Sequence, residues 1–170
     1  MQRKEYQRHL FNSPLGWVAI LGSPQGLRRL SLQPTPQEAL EGLGPDLKSA
    51  DSSDAEILSG VQQRLEDYCR GNVTALDNIP LDLDDAPPFF RAAWNACRQI
   101  PPGETRSYAW LAAAAGNPLA VRAAGQAMAR NRLALVIPCH RVIGSDGGLH
   151  GYGAGGLTVK ARLLAMERGG

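Results

Sequence analysis

Residues 107–130 read SYAWLAAAAGNPLAVRAAGQAMAR, two short helical stretches about a Gly-Asn-Pro break. In the first, Tyr108, Leu111, Ala112 and Ala115 recur at i, i+3, i+4 and i+7, so a helix is predicted over residues 107–115. Gly116 stops it. Asn117 is a good N-cap and Pro118 suits a first helical position, which predicts a second helix over residues 119–130. Helix, short Gly-containing turn, helix is the helix-turn-helix pattern. Val121, Ala124 and Met128 face inward in this reading, while Arg122, Gln126 and Arg130 form an i, i+4, i+8 stripe. The remaining surface is Ala and Gly. Small side chains let the helix backbone come close to a partner, and a single long arginine among them projects.

Charge supports a polyanionic partner for this half. Residues 1–85 carry 8 Lys/Arg and 13 Asp/Glu, a net −5, whereas residues 86–170 carry 10 and 3, a net +7. No acidic side chain occurs between Thr105 and Ser145, where Arg106, Arg122, Arg130, Arg132 and Arg141 all fall. Such a split is the electrostatic footprint of a nucleic-acid-binding half. The second helix pressed against DNA with Arg122 probing it fits that charge.

Downstream, Leu133-Ala134-Leu135-Val136-Ile137 is an apolar run predicted to be a buried strand, and it leads straight into Pro138-Cys139-His140-Arg141-Val142-Ile143. A thiol at the end of a buried strand, beside two nitrogen-rich side chains, is a candidate nucleophile, because a basic or cationic neighbour raises the thiolate fraction. The same residues also describe a buried cysteine beside a satisfied histidine, and spacing alone leaves both readings open. A last helix is predicted over residues 157–168 with Val159, Leu163 and Met166 as its apolar stripe and Glu167 at the edge. A carboxylate in the last turn opposes the helix dipole by ~0.3–1 kcal/mol. It gains from a partner such as His140, in the logic of a carboxylate that orients an imidazole.

Upstream, residues 89–100 place Phe90, Ala93, Trp94, Cys97 and Ile100 on one helical stripe ended by Pro101-Pro102-Gly103, which makes Cys97 a core residue. The acidic, Pro-containing stretch over residues 80–88 marks a boundary. Before it come strand-like runs at residues 17–21 and 27–32, a polar connector at 44–55, and a helical period at 56–68 stopped by Gly71. The 170 residues suit one domain or two small ones sharing a core, and a 44% apolar, 20% charged composition is that of a globular protein. No apolar run approaches membrane-spanning length, and the first twelve residues lack a signal-type apolar segment. Three cysteines without CxxC spacing predict a reducing cytoplasm and no disulfide framework.

Ile137-Pro138-Cys139-His140-Arg141-Val142 resembles the active-site motif of the O6-alkylguanine-DNA alkyltransferases, the methylated-DNA–protein-cysteine methyltransferases. The resemblance runs from Thr105-Arg106-Ser107-Tyr108 through Gly116-Asn117-Pro118, Arg122-Ala123-Ala124-Gly125, Asn131, Gly151-Tyr152 and Leu163-Leu164-Ala165-Met166-Glu167. It is strong over residues 87–168 and general in style before that. It implies two domains. Residues 1–84 would be an α/β, ribonuclease H-like domain with a small antiparallel sheet plus helix. Residues 85–170 would be an all-α, winged-helix-like DNA-binding domain with a helix-turn-helix.

The resemblance also implies roles. Cys139 corresponds to the acceptor that attacks the alkyl carbon on guanine O6 after base flipping, His140 to its general base through a water, and Glu167 to the residue orienting His140. Tyr108 corresponds to the proton donor to the departing guanine and Asn131 to the hinge joining the DNA-binding helices to the cysteine loop. Arg122 corresponds to the finger that replaces the flipped base, with Ser107, Ala120, Ala123, Gly125 and Arg130 against DNA. Pro138, Tyr152, Gly153 and Lys160 correspond to the substrate pocket. The implied partner is duplex DNA carrying O6-alkylguanine, with O4-alkylthymine as a further substrate, met by a cytoplasmic, nucleoid-associated monomer with no membrane role. No cofactor is implied, and with only His9 and Cys69 available in the first half no zinc is expected there. A lesion-binding relative without transfer activity would lack the acceptor, and Cys139 argues against it. A cysteine hydrolase pairing Cys139 with His150 leaves Arg122 and the helix pair unexplained. A methyltransferase using a soluble donor needs a glycine-rich cofactor loop that is absent.

Overall fold

Apolar strands closed by two-residue turns build the first half of the chain. A computed structural model describes residues 6–52, 56–144 and 156–169. Strands β1 (Tyr6–Ser13), β2 (Gly16–Ser23) and β3 (Gly26–Gln33) form an antiparallel meander. The two predicted strands lie inside β2 and β3, whereas β1 alternates too weakly to be read from sequence. Its buried Tyr6 and Phe11 are separated by partly exposed residues. β4 (Ala50–Ser52) adds to β1 in parallel, giving the order β3-β2-β1-β4. The sheet is therefore mixed, not purely antiparallel.

The expected polar connector holds structure of its own. After a helix α1 (Pro36–Glu41), capped by Thr35 accepting from the Glu38 amide, comes a 3₁₀ turn (Gly44–Ser49) that leads into β4. Ala39 and Leu43 pack with Tyr6, Ala19, Leu21 and Ala50 on one sheet face. Helix α2 (Glu56–Cys69) buries Leu58, Val61, Leu65 and Tyr68, and a Cβ on Gly22 would meet Leu58 at 3.1 Å. β2 is thus covered on both faces. Gly26, at φ +148°, is forced: a Cβ there would stand 2.5 Å from the Pro80 carbonyl, where residues 80–82 run beside Leu27.

Two compact units result, Met1–Asp82 with Arg132–Val136, and Leu83–Asn131 with Ile137–Gly170. The first unit thus takes in a short return segment, Arg132–Val136, from beyond the boundary stretch. The apolar run 133–137 is buried but is not the predicted strand. Leu133 makes one isolated bridge to Leu30, and Leu135 adopts φ 71°, which breaks extended pairing.

The second unit is helical. α3 (Pro88–Cys97) buries Ala93, Trp94 and Cys97, with Ile100 just beyond. α4 (Tyr108–Ala114) is capped by Ser107, and α5 (Val121–Ala129) follows. Trp94 Nε1 donates to the Ala127 carbonyl at 2.8 Å, tying α3 to α5. α4 ends in a Schellman turn: Gly116 at φ +101°, with Gly116 N bonded to Ala113 O and Asn117 N to Ala112 O. Asn117 does not cap α5 as expected. Its Oδ1 accepts from the Leu119 amide and its carbonyl from Ala120, so a turn intervenes and the helix starts at Val121. Val121 is exposed at 39% and does not point inward, while Ala124, Ala127 and Met128 do. The unit is not purely α, since β5 (Arg106–Ser107) pairs in parallel with β6 (Val142–Ile143).

Candidate active site

The β5–β6 pair sets the site. It holds Tyr108, the first residue of α4, near the turn that precedes Val142. That turn is a single 3₁₀ loop, Cys139–Arg141, entered through Pro138, and all three of its residues are buried. Burial pushes the Cys139 thiol up, while a hydrogen bond from the Asn131 side chain and the Lys160 ammonium pull the other way. Asn131 Nδ2 also donates to the Ile137 carbonyl at 2.9 Å, so one amide ties the end of α5 to the cysteine loop. Net, the resting group is a thiol, and it needs a base to ionise it.

An imidazole stands next in the chain. His140 is fully buried, and its Nε2 meets Glu167 Oε2 at 2.9 Å. Burial lowers the pKa of His140, and although Glu167 pulls it back up, Arg141 and Lys160 oppose that pull. The imidazole is neutral at pH 7 and can accept a proton. Glu167 lies on α6 (Gly156–Glu167), whose inward face is Lys160, Leu163, Leu164 and Glu167. Val159 and Met166, expected inward, are only half-buried. The inward stripe keeps helical spacing, but two of its four members are charged, which hides it from a hydrophobicity reading.

Arg141 completes the cluster and was not among the expected site residues. Its Nε donates to Glu167 Oε1 at 2.9 Å, Nη2 to Oε2 at 2.8 Å, and Nη1 to the Ile100 carbonyl at 2.7 Å. The signal was the adjacent Arg of the Cys-His-Arg run, yet no local pattern shows that an arginine reaches 26 residues along the chain. Gly103, at φ +86°, permits the close pass of the Pro-Pro-Gly turn over the Glu167 carbonyl, 3.2 Å from where a Cβ would be.

The remaining candidates divide by location. Lys160 is buried and donates to the Val142 carbonyl at 3.0 Å. Burial lowers its pKa and Cys139 raises it. Tyr108 is half-buried; burial and Cys139 both push its phenol up, so it stays protonated and able to donate. Gly125 lies alongside its ring, with a Cβ there 4.0 Å from Tyr108 Cδ1. Arg122 is exposed on α5, Ala120 and Ala123 are partly exposed beside it, and Arg130 is exposed with its guanidinium 6.0 Å from the Phe90 ring centre. Ser107 accepts from the Trp110 amide at 3.0 Å. Tyr152, Gly153 and His150 lie outside the described residues.

Comparisons with known proteins follow the same division. The family profile for the 6-O-methylguanine DNA methyltransferase ribonuclease-like domain matches residues 7–83, and that for its DNA binding domain matches residues 88–169. The constitutive methylated-DNA–protein-cysteine methyltransferase of Bacillus subtilis is 38% identical over 156 residues, covering 92% of each chain. The methylated-DNA–protein-cysteine methyltransferase of Mycolicibacterium paratuberculosis is 39% identical over 157 residues, covering 92% of this chain and 89% of its own. The crystal structure of Mycobacterium tuberculosis O6-methylguanine methyltransferase aligns at TM-score 0.80 and 35% identity, covering 96% of this chain and 93% of the other. The M. tuberculosis OGT in complex with DNA aligns at 0.78 and 34%, covering 97% and 93%.

Proposed function

The chain belongs to the 6-O-methylguanine DNA methyltransferase family and is a direct-reversal DNA repair enzyme of the methylated-DNA–protein-cysteine methyltransferase class; from this we propose that Cys139 is its acceptor and that the groups around it act as follows. The flipped base presents the alkyl carbon on guanine O6 to Cys139 Sγ. His140, its Nε2 held by Glu167, takes the thiol proton through a water onto Nδ1. The thiolate attacks in line, the S–C bond forms as the C–O bond breaks, and the electron pair of that bond passes into the guanine. Tyr108 donates its phenolic proton to the minor-groove edge nitrogen of the departing base. Exchange with solvent then resets His140 and Tyr108. The thioether left on Cys139 has no ionisable proton and no leaving group for water to displace, so each molecule reacts once.

The observation that carries this reading is the Cys139, His140, Glu167 set within one buried turn and one helix end, with Nε2 to Oε2 at 2.9 Å. Residues on two distant stretches of chain have converged on a thiol, a neutral base and an orienting carboxylate.

The α4–α5 pair acts as the helix-turn-helix of a winged-helix-like DNA-binding domain, with the first unit as a supporting ribonuclease-like domain. Its partner is duplex DNA carrying O6-alkylguanine, with O4-alkylthymine accepted, and the protein works as a monomer at the nucleoid. α5 lies in the minor groove with its small residues Ala120, Ala123 and Gly125 against the backbone. Ser107 and Arg130 meet phosphates, and Arg122 enters the stack in place of the flipped base. Flipping costs a few kcal/mol, of which a stacked guanidinium recovers part. Pro138 and Lys160 belong to the base pocket in this reading, and the resemblance assigns Tyr152 and Gly153, outside the described residues, to it as well. Among the described residues no helix is long and apolar enough to cross a membrane.

Cys139→Ser tests the assignment. Transfer from methylated duplex is abolished while DNA binding persists; methyl label on the variant would refute it.

A further inference from the structure

Glu167 faces two groups that make opposite demands on it. As the partner of His140 it must hold the ring in place. As a buried anion it must not hold the ring's proton too tightly, since an uncompensated carboxylate 2.9 Å from an imidazole in a dry interior favours the imidazolium. An imidazolium cannot take a proton from a thiol. The cluster contains a device that separates the two demands.

We propose that Arg141 is a positioning residue for the transfer: gripping both oxygens of Glu167 and the Ile100 carbonyl, it fixes the carboxylate against His140 and offsets its charge, so the imidazole rests neutral and ready to accept the Cys139 proton. The inference rests on Cys139 being the acceptor and His140 its base.

Three features of the geometry carry it. The two contacts from Nε and Nη2 to separate oxygens, at 2.9 and 2.8 Å, are the parallel fork that only a guanidinium makes. The third bond, from Nη1 to the Ile100 carbonyl at 2.7 Å, anchors the fork to the end of α3 and sets the angle at which Glu167 meets the ring. Glu167 Oε2 receives both the Arg141 Nη2 donor and the His140 nitrogen, so the charge felt by His140 is already shared with a cation at 2.8 Å. Among the described residues, the charged and titratable groups around His140 are Glu167 and Lys160 from α6 and Arg141 and Cys139 from its own turn. α3 contributes Cys97, which senses Cys139 and Arg141, and α4 contributes Tyr108, which senses Cys139. Burial depresses the basicity of His140, Glu167 restores part of it, and Arg141 with Lys160 keeps the balance on the neutral side.

The test is the single-turnover rate of methyl transfer from duplex DNA between about pH 5 and pH 9.5, with the His140 ring titrated by NMR in parallel. In the native protein the ring titrates below its ordinary 6.5, and the acid limb of the rate lies there too. Arg141→Met frees the carboxylate to hold the imidazolium. The limb moves up by about one unit or more and the rate at pH values below the native limb falls about tenfold, with the deficit shrinking at pH 7 and closing at high pH. Arg141→Lys returns the charge without the fork and gives a smaller shift. The double variant Arg141→Met with Glu167→Gln removes both charges and brings the limb back to or below the native position. A limb that stays in place, or a rate loss equal at every pH, overturns the proposal and leaves Arg141 a merely structural residue. Should Arg141→Met fail to fold, the Lys variant and the native titration decide it, since a native His140 titrating above 7 also overturns it. A native protein that transfers no methyl group refutes the acceptor reading instead; transfer with an unmoved limb refutes only Arg141.

Discussion

In the first unit Arg28 lies between Asp46 at 2.8 Å and Asp82 at 3.6 Å, Arg29 reaches the same Asp46 oxygen at 2.9 Å, and Ser23 bonds Asp82 at 2.7 Å. In the second unit Arg141 grips Glu167, with His140, Lys160 and Cys139 around the pair. Both networks are built on an arginine and a carboxylate, the first partly and the second fully buried, yet their charge counts differ. Among the described residues, two arginines against two aspartates balance. Two cations against a single carboxylate, again among the described residues, leave one positive charge over, beside the Cys139 thiol. A balanced network specifies a fold, because breaking any member strands a buried charge. An unbalanced one keeps a positive potential in reserve, and in the proposed mechanism it favours the Cys139 thiolate.

Removing the excess cation should therefore produce the largest effect that leaves the acceptor in place. In Lys160→Met the thiol, already raised by burial, rises further, and transfer at pH 7 falls about ten- to hundredfold. The deficit narrows as pH rises toward the thiol's own ionisation; a deficit constant with pH would show that Lys160 only supports the Val142 carbonyl. The pH dependence of iodoacetamide labelling at Cys139 checks the same shift without DNA.

Arg122→Ala sharpens the contrast from the DNA side. Loss of a side chain that recovers ~1–2 kcal/mol of unstacking slows repair in duplex about five- to thirtyfold, but spares reaction with free O6-benzylguanine. Equal losses on both substrates would remove the finger role.

Acid should separate the two networks. His140 has a lowered pKa in the fold, so its contribution to stability is complete above its ordinary 6.5 and is lost as pH falls below it. Burial raises Asp46, but the hydrogen bonds from Arg29 and Arg28 outweigh it and the net shift is downward. Its contribution persists until pH falls below the ordinary 3.8. Hydrogen exchange should show the second unit loosening first on acidification. Asp46→Asn gives the smallest effect on function: about 1–2 kcal/mol of stability lost, with the transfer rate of the folded protein unchanged.

What the sequence made legible follows the same line. β2, β3, α2 and α3 announce themselves because their buried faces are apolar and strictly periodic. His140 and Glu167, far apart in sequence, meet in the structure, Cys139 lies in the same buried turn as His140, and Cys97 is core. The failures arise where polarity and burial part company. α6 turns Lys160 and Glu167 inward, so of the expected stripe Val159, Leu163 and Met166 only Leu163 is fully buried. Residues 133–136 are apolar enough for a strand, but Leu135 at φ 71° bends the chain out of one. Asn117 has N-cap chemistry and spends it on the next turn instead. Arg141 was invisible because its partners, Ile100 and Glu167, lie 41 and 26 positions away, and no local periodicity encodes a contact of that range.

The claim at the centre is that the sulfur of Cys139 receives the alkyl group. Intact-protein mass spectrometry after incubation with duplex DNA containing O6-methylguanine, followed by peptide mapping, tests it directly. The account predicts a mass gain of one methylene per protein molecule, carried wholly by the peptide containing Cys139, with Cys97 and Cys69 unmodified. A gain on either of those two cysteines, or guanine restored with no mass gained by the protein, would contradict it.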